Sequence, residues 1–189
     1  MKNLFLVVIS LSLFIACGNK QNSEKDSNEG NFKSQHYFGD CKKLFAEACY
    51  MDSILFSQTE LDTVSAQKAI IAFTEFANYC QTDSLSPIFL IKTAQVARAI
   101  NNIPQAKLVL DKCIADYPSF KSRPAALFLL AQLYDDNNYM NDENEAKRLY
   151  QKILDEYPDS EWAMSAKGAI AFIGKTDAQI TNIILNRKK

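Results

Sequence analysis

Three hydropathy patterns divide this chain. Residues 4–16, LFLVVISLSLFIA, form an apolar run broken by two serines. Residues 18–38 are polar, rich in Asn, Ser, Lys and Glu, and hold no stretch that can cover a core. From about Asp40 onward, apolar residues recur at three- and four-residue spacing, the mark of amphipathic helices. That spacing predicts helices over 40–56, 63–79, 87–100, 103–117, 123–136, 142–157, 160–173 and 176–186. Local signals mark several ends. Ser86-Pro87 reads as an N-cap followed by proline in the first turn. Asp142 with Glu145, and Thr176 with Gln179, have the spacing of capping boxes. Gly174 stands where a helix should stop.

The first run is too short to cross a bilayer as a helix, which takes about 20 residues. Lys2 before it and a small residue, Ala16, at its end give it the form of a secretory signal. Read as a core helix instead, it would be followed at once by GNKQNSEKDSNEGNFKSQ and have little to pack against. The polar stretch behind it cannot bury enough apolar surface to offset the entropy of ordering, so it reads as a flexible tether. The organisation expected is 1–16 signal peptide, 17–39 tether and 40–189 helical domain. The junction FIAC followed by Gly18 resembles the lipobox of bacterial lipoproteins, in which the cysteine is acylated and becomes the first residue. Phe14 departs from the favoured Leu, while Ile15, Ala16 and Cys17 fit. The resemblance implies lipidation at Cys17 and attachment to a lipid bilayer, which two or more acyl chains make stable. Gly18 lacks the Asp that retains some lipoproteins at the inner membrane, which leans toward the outer one. A plain secretory signal with an unmodified Cys17 is the alternative.

The helical part repeats itself. AKLVLDKCIADYP (106–118) aligns with AKRLYQKILDEYP (146–158): Ala106 with Ala146, Leu110 with Tyr150, Cys113 with Ile153, Tyr117 with Tyr157 and Pro118 with Pro158. An earlier cognate begins at Ala69, with Cys80 in the proline position. Ala94 and Ala131 stand at the corresponding point of the preceding helices, where axes eight to ten ångströms apart admit only small side chains. This pattern resembles the tetratricopeptide repeat (TPR). The period from Pro118 to Pro158 is 40 residues, longer than the family's 34, and the loop 135–145 is longer than usual. The fold implied is all-α, a TPR-like α-solenoid of about three helix-turn-helix repeats with flanking helices.

Composition adds mainly exclusions. The chain has 189 residues and a formal net charge of −1, or −2 once residues 1–16 and their single lysine are gone, so bulk electrostatics invite no nucleic acid. The lone histidine, His36, lies in the tether; a pairing with Cys41 as nucleophile and base lacks a rigid scaffold. No CxxC pair supports a zinc site, and the five glycines form no phosphate loop. The acidic loop 135–145 lacks the central glycine and terminal glutamate of a calcium hand. No cofactor is expected. Cys41 and Cys49, eight residues apart on one helix, stand about 12 Å apart and cannot bridge; Cys41 or Cys49 with Cys80 is possible in an exported protein. Cys113 reads as a small buried hydrophobe, and Trp162 as a packing anchor between repeats.

The TPR resemblance implies a membrane-tethered scaffold whose inner helices receive an envelope protein or peptide. By that resemblance the groove positions are Ile91, Gln95 and Arg98, then Phe128, Gln132 and Asp135; an ordinary solvated face is the other reading. YPDSEWAMSA (157–166) looks like the TPR lipoprotein of the outer-membrane β-barrel assembly machine. Two other classes stay open: a glycan or small-molecule binder using Trp162 and the tyrosines, and an enzyme using two carboxylates such as Asp135 and Glu161.

Overall fold

The computed structural model describes residues 40–186. Cys17, the tether and His36 lie outside the described residues. Within them the chain forms eight helices and no strand: α1 (Cys41–Ser57), α2 (Thr63–Tyr79), α3 (Ser86–Ala99), α4 (Ile103–Asp116), α5 (Arg123–Asp135), α6 (Glu143–Glu156), α7 (Glu161–Ile170) and α8 (Asp177–Asn186). The fold class is the expected all-α, TPR-like one. Two compact units meet within α3, one ending at Lys92 and the other beginning at Thr93.

In the first unit α1 and α2 pair as a hairpin. Asp62 starts α2 by accepting from the amides of Val64 (2.9 Å) and Ser65 (3.0 Å), two of the donors that a helix start leaves unpaired. The buried stripe of α2 is Ala66, Ala69, Ala72, Phe73, Phe76 and Ala77, a three-to-four spacing that faces Leu44, Ala48 and Met51 of α1. Alanines let the axes approach, and the aromatics fill what remains: Phe89 lies 5.2 Å from both Phe73 and Phe76, and Phe45 lies 5.5 Å from Phe76. Cys41 and Cys80 close the open end as a disulfide, with Cα atoms 5.7 Å apart. Of the pairings open from sequence, this is the one formed onto Cys80. Near the other end of α1, Lys92 donates to both Asp52 oxygens at 2.7 and 2.6 Å, and only 7% of the lysine side chain is exposed.

In the second unit α5 lies between α4 and α6 and also touches α7. Its residues from Pro124 to Ala131 and Leu133 are all buried, as expected of a helix that is apolar all round. By contrast α6 buries one stripe, Ala146, Leu149, Tyr150 and Ile153, and turns charged residues outward. Burying each of the larger side chains contributes about 1.5–3 kcal/mol. Arg123 ties three helix ends together: Nε donates to the Ile114 carbonyl (3.1 Å), and Nη1 donates to Glu156 Oε2 and the Tyr157 hydroxyl oxygen, both at 2.8 Å. Cys113 is buried in this unit, and burial pushes its thiol up to about 12.

The helix ends follow local chemistry. Tyr117 and Tyr157 terminate α4 and α6 just before Pro118 and Pro158, since a residue preceding proline is disfavoured in the α region. Cys80, in the proline position, keeps an N–H and donates it to the Phe76 carbonyl at 2.9 Å, so α2 runs one residue further than its cognates. Asn101 (φ 60°) and Asn141 (φ 50°) occupy equivalent left-handed positions, each followed by an N-cap, Asn102 and Asp142. Thr176 and Gln179 form the full capping box, with Thr176 N to Gln179 Oε1 at 2.9 Å and Gln179 N to Thr176 Oγ1 at 3.4 Å.

Three expectations need correction. Ser86 is not an N-cap: it is the first residue of α3, and its hydroxyl donates backward to the Cys80 carbonyl at 2.6 Å. The pair Asp142–Glu145 makes only half a capping box, because Asp142 accepts from the Glu145 amide (3.0 Å) while both Glu145 oxygens are taken by Arg148 (2.6 and 2.7 Å). The seventh helix ends at Ile170, three residues short of the 173 expected; turns then lead to Gly174, whose φ of 69° gives the left-handed reversal.

Candidate partner-binding surface

Six positions were expected to face a partner, and the structure divides them. Ile91 is fully buried and Phe128 nearly so. Phe128 packs against Tyr150 and Trp162, each with ring centroids 5.3 Å away, so α7 covers the spot that a groove would have used. Two apolar side chains with room to bury were drawn inward. Gln95, Arg98, Gln132 and Asp135 remain half-exposed.

Three of these four belong to one electrostatic cluster. Arg98 sits near the end of α3 and donates from Nη1 to Gln132 Oε1 at 3.1 Å. Its guanidinium carbon lies 5.7 Å above the Tyr139 ring, an attractive cation–π placement. Asp135, one turn beyond Gln132 on α5, reaches the buried Tyr150 hydroxyl electrostatically. Burial first, and Asp135 second, push that hydroxyl well above its ordinary value, and Arg98 partly offsets them. The result is a fixed cation, an amide and a carboxylate side by side. The planar guanidinium has five N–H groups, and the bond to Gln132 orients them. Such a set can bond carbonyls and amides of another polypeptide. It holds no nucleophile–base pair.

Tyr139 was not among the expected residues. It lies in the solvent-facing loop between α5 and α6. Backbone bonds shape that loop: Met140 N to the Leu133 carbonyl at 3.2 Å, Asn141 N to the Asp136 carbonyl at 3.2 Å and Asp142 N to the Tyr134 carbonyl at 2.8 Å. The extra loop residues thus position an aromatic ring. A tyrosine beside Met140 in an otherwise polar loop was the signal for this in the sequence.

A second polar group lies where α4, α5 and α6 meet. Lys107 pairs with Asp111 at 2.5 Å and lies 6.0 Å over the Tyr134 ring; the bond to Asp111 holds its ammonium above the usual lysine range. Glu145 and Arg148 pair through two bonds, and the arginine keeps the Glu145 carboxyl below its ordinary value. The two ion pairs close within α4 and within α6, and Lys107 over the Tyr134 ring links α4 to α5.

The other candidates do not assemble. Asp135 ends α5, about two turns, or roughly 10 Å of helix rise, beyond Phe128, whereas Glu161 starts α7 beside the Trp162 that touches Phe128. The two carboxylates stand on different helices, one at the end of α5 and the other at the start of α7. Trp162 is half-buried against Phe128 and serves packing, as expected. Among the described residues, no three His, Cys, Asp or Glu side chains are placed to hold a metal ion.

These hairpins define a class first, helical repeats built to present surface to other molecules. Residues 125–160, spanning α5, its loop and α6, match the family model for the tetratricopeptide repeat. No curated protein and no solved structure matches the chain. The family match covers the hairpin that carries Phe128, Gln132, Asp135 and Tyr139.

Proposed function

We propose that this chain is a membrane-anchored protein–protein interaction scaffold of the bacterial cell envelope, held through acylated Cys17 and gripping its partner through Gln95, Arg98, Gln132 and Asp135. The observation that carries the reading is the tetratricopeptide hairpin at 125–160, because repeats of this kind serve as interaction surfaces and two members of the polar cluster, Gln132 and Asp135, lie on it. The envelope location is supported by the lipobox-like FIAC, the polar stretch behind it and the Cys41–Cys80 disulfide, since structural disulfides belong to oxidising compartments. The partner is an envelope protein, and the likeness of YPDSEWAMSA (157–166) to an outer-membrane assembly lipoprotein favours assembly of outer-membrane proteins as the process.

Site-specific photo-cross-linking in intact cells tests this. A photoreactive residue at Gln95 or Gln132 should capture one protein reproducibly, and a probe at Lys147 on the outer face of α6 should not. Mass spectrometry of the mature protein should find an acylated Cys17 at its N-terminus. No specific adduct at Gln95 or Gln132 removes the scaffold reading; an unacylated start removes the anchor.

A further inference from the structure

The α1–α2 hairpin packs one face on α3: Phe45 and Phe76 lie 6.2 and 5.2 Å from the Phe89 ring. Glu47 and Thr74 each stand two residues from one of these aromatics, about 200° around the helix, so they turn to the side away from Phe89. They share one level of the hairpin, because Glu47 is as far along α1 from Cys41 as Thr74 is along α2 from Cys80, and those cysteines are bonded. Glu47 Oε1 and Thr74 Oγ1 are buried, yet neither has a hydrogen-bond partner among the described residues, a state that native structures rarely leave unanswered. Tyr50 and Ile54, one and two turns beyond Glu47, and Ile70, one turn before Thr74, belong to the same face. Tyr50 is 59% exposed, and both isoleucines are half-exposed. An end hairpin of a helical stack needs such a face closed.

We infer that residues 32–38 of this chain, FKSQHYF, close that face, laid extended along α1, so that the expected tether ends at residue 31. The segment lies outside the described residues but joins α1 through Gly39 and the N-cap Asp40, beside the face it covers. Its reach fits. An extended chain covers about 3.3 Å per residue. His36 therefore comes about 13 Å from Asp40, enough to meet Glu47 at about 10 Å of helix rise. Phe32 comes about 26 Å, enough to meet Ile54 at about 21 Å. Period-two alternation sets Phe32, Ser34, His36 and Phe38 against the hairpin and Lys33, Gln35 and Tyr37 outward. A neutral imidazole carries one N–H and one acceptor nitrogen, so His36 donates to Glu47 Oε1 and accepts from the Thr74 hydroxyl, answering both buried oxygens. The segment holds no acid, whereas SEKDSNE (23–29) would meet Glu47 with like charge. This contact is separate from the Arg98 cluster and from the state of Cys17.

A photoreactive residue in place of Phe32, in the full-length protein purified in detergent, tests it. The probe should cross-link at monomer mass to α1 and α2 peptides around Tyr50, Ile54 and Ile70, and the same probe in place of Ser27 should not. His36→Ala should lower the melting temperature by about 2–4 °C, and should lower it no further when Glu47→Ala and Thr74→Ala are already present. The inference is overturned if the Phe32 probe labels no α1 or α2 peptide, labels another protein or lipid, or gives doubled mass, which puts the segment on a second copy. It is equally overturned if His36→Ala melts as wild type does, or loses the same amount with and without Glu47 and Thr74.

Discussion

Single residues decide several turns here, and two asparagines show how. Asn101 and Asn141 hold positive φ of 60° and 50°, a region costing other L-residues roughly 1–2 kcal/mol. Asn tolerates it through its short polar side chain, and Gly adopts it without penalty. Asn141→Ala and Asn101→Ala should each lower stability by about 1 kcal/mol, while the Gly variants should match or exceed wild type; chemical denaturation midpoints at constant slope decide this. Asp62 gives a pH dependence. Hydrogen bonds, that of Ser65 foremost, lower its carboxyl from 3.8 to about 2. A depressed folded-state value contributes stability above the unfolded value that is lost as pH falls toward the folded one. The advantage of wild type over Asp62→Ala should therefore be full above pH about 4 and shrink toward pH about 2, measured by thermal melts across that range. The caps at Asp142 and Thr176 were legible from their spacing, whereas Asp62 was not read as one. Neither the burial of Ile91 and Phe128 nor the backward bond of Ser86 was legible, because each depends on what a neighbouring element leaves room for.

At the scale of elements, helix positions were largely written in the apolar spacing and the caps, and most observed ends fall within a residue of those expected. The shortened α7 is the exception: its Ala-rich pattern carries no stop signal before Gly174. The choice of Cys41 over Cys49 as partner of Cys80 needed the register of the α1–α2 hairpin, which is set by the packing of Ala48, Met51, Ala66 and Phe73 rather than by cysteine spacing. That bridge closes a loop with a sequence separation of 39, worth about 4 kcal/mol in the chain-entropy account. Reducing it, or Cys41→Ala with Cys80→Ala, should lower the protection of α1 and α2 amides against hydrogen exchange and leave α5 and α6 unchanged. The Lys92–Asp52 pair, with 7% and 18% side-chain exposure, behaves as a buried ion pair. Asp52→Ala removes both bonds to the buried ammonium and should cost about 3–5 kcal/mol, whereas Asp52→Leu with Lys92→Met should recover most of that loss, as read from denaturation of both variants.

For the whole molecule, the question is whether the Arg98 cluster is a surface for others or a brace for its own helices. The two roles predict different variants. As a brace, the Arg98–Gln132 bond is half-exposed and neutral on one side, worth about 0.5–1.5 kcal/mol, and Arg98→Ala and Gln132→Ala should be equally mild in stability and silent in binding. As a partner surface, Arg98 offers several oriented N–H groups to a polypeptide, and losing a charge-assisted bond of that kind costs about 1.5–3 kcal/mol, roughly 10- to 100-fold in affinity. Arg98→Ala should then abolish the cross-link from Gln95 while the melting temperature barely moves. Arg98→Lys separates the roles further. It keeps the charge but loses the planar fork and its fit over the Tyr139 ring, so it should bind poorly even though long-range attraction is intact. Tyr139→Leu should weaken binding through Arg98 alone, by freeing the guanidinium it steadies. A fall in binding for Arg98→Lys and Tyr139→Leu, with folding preserved in both, ties recognition to the orientation of that one side chain. The long loop of this repeat then has its physical purpose: its extra residues bring a ring under an arginine of α3.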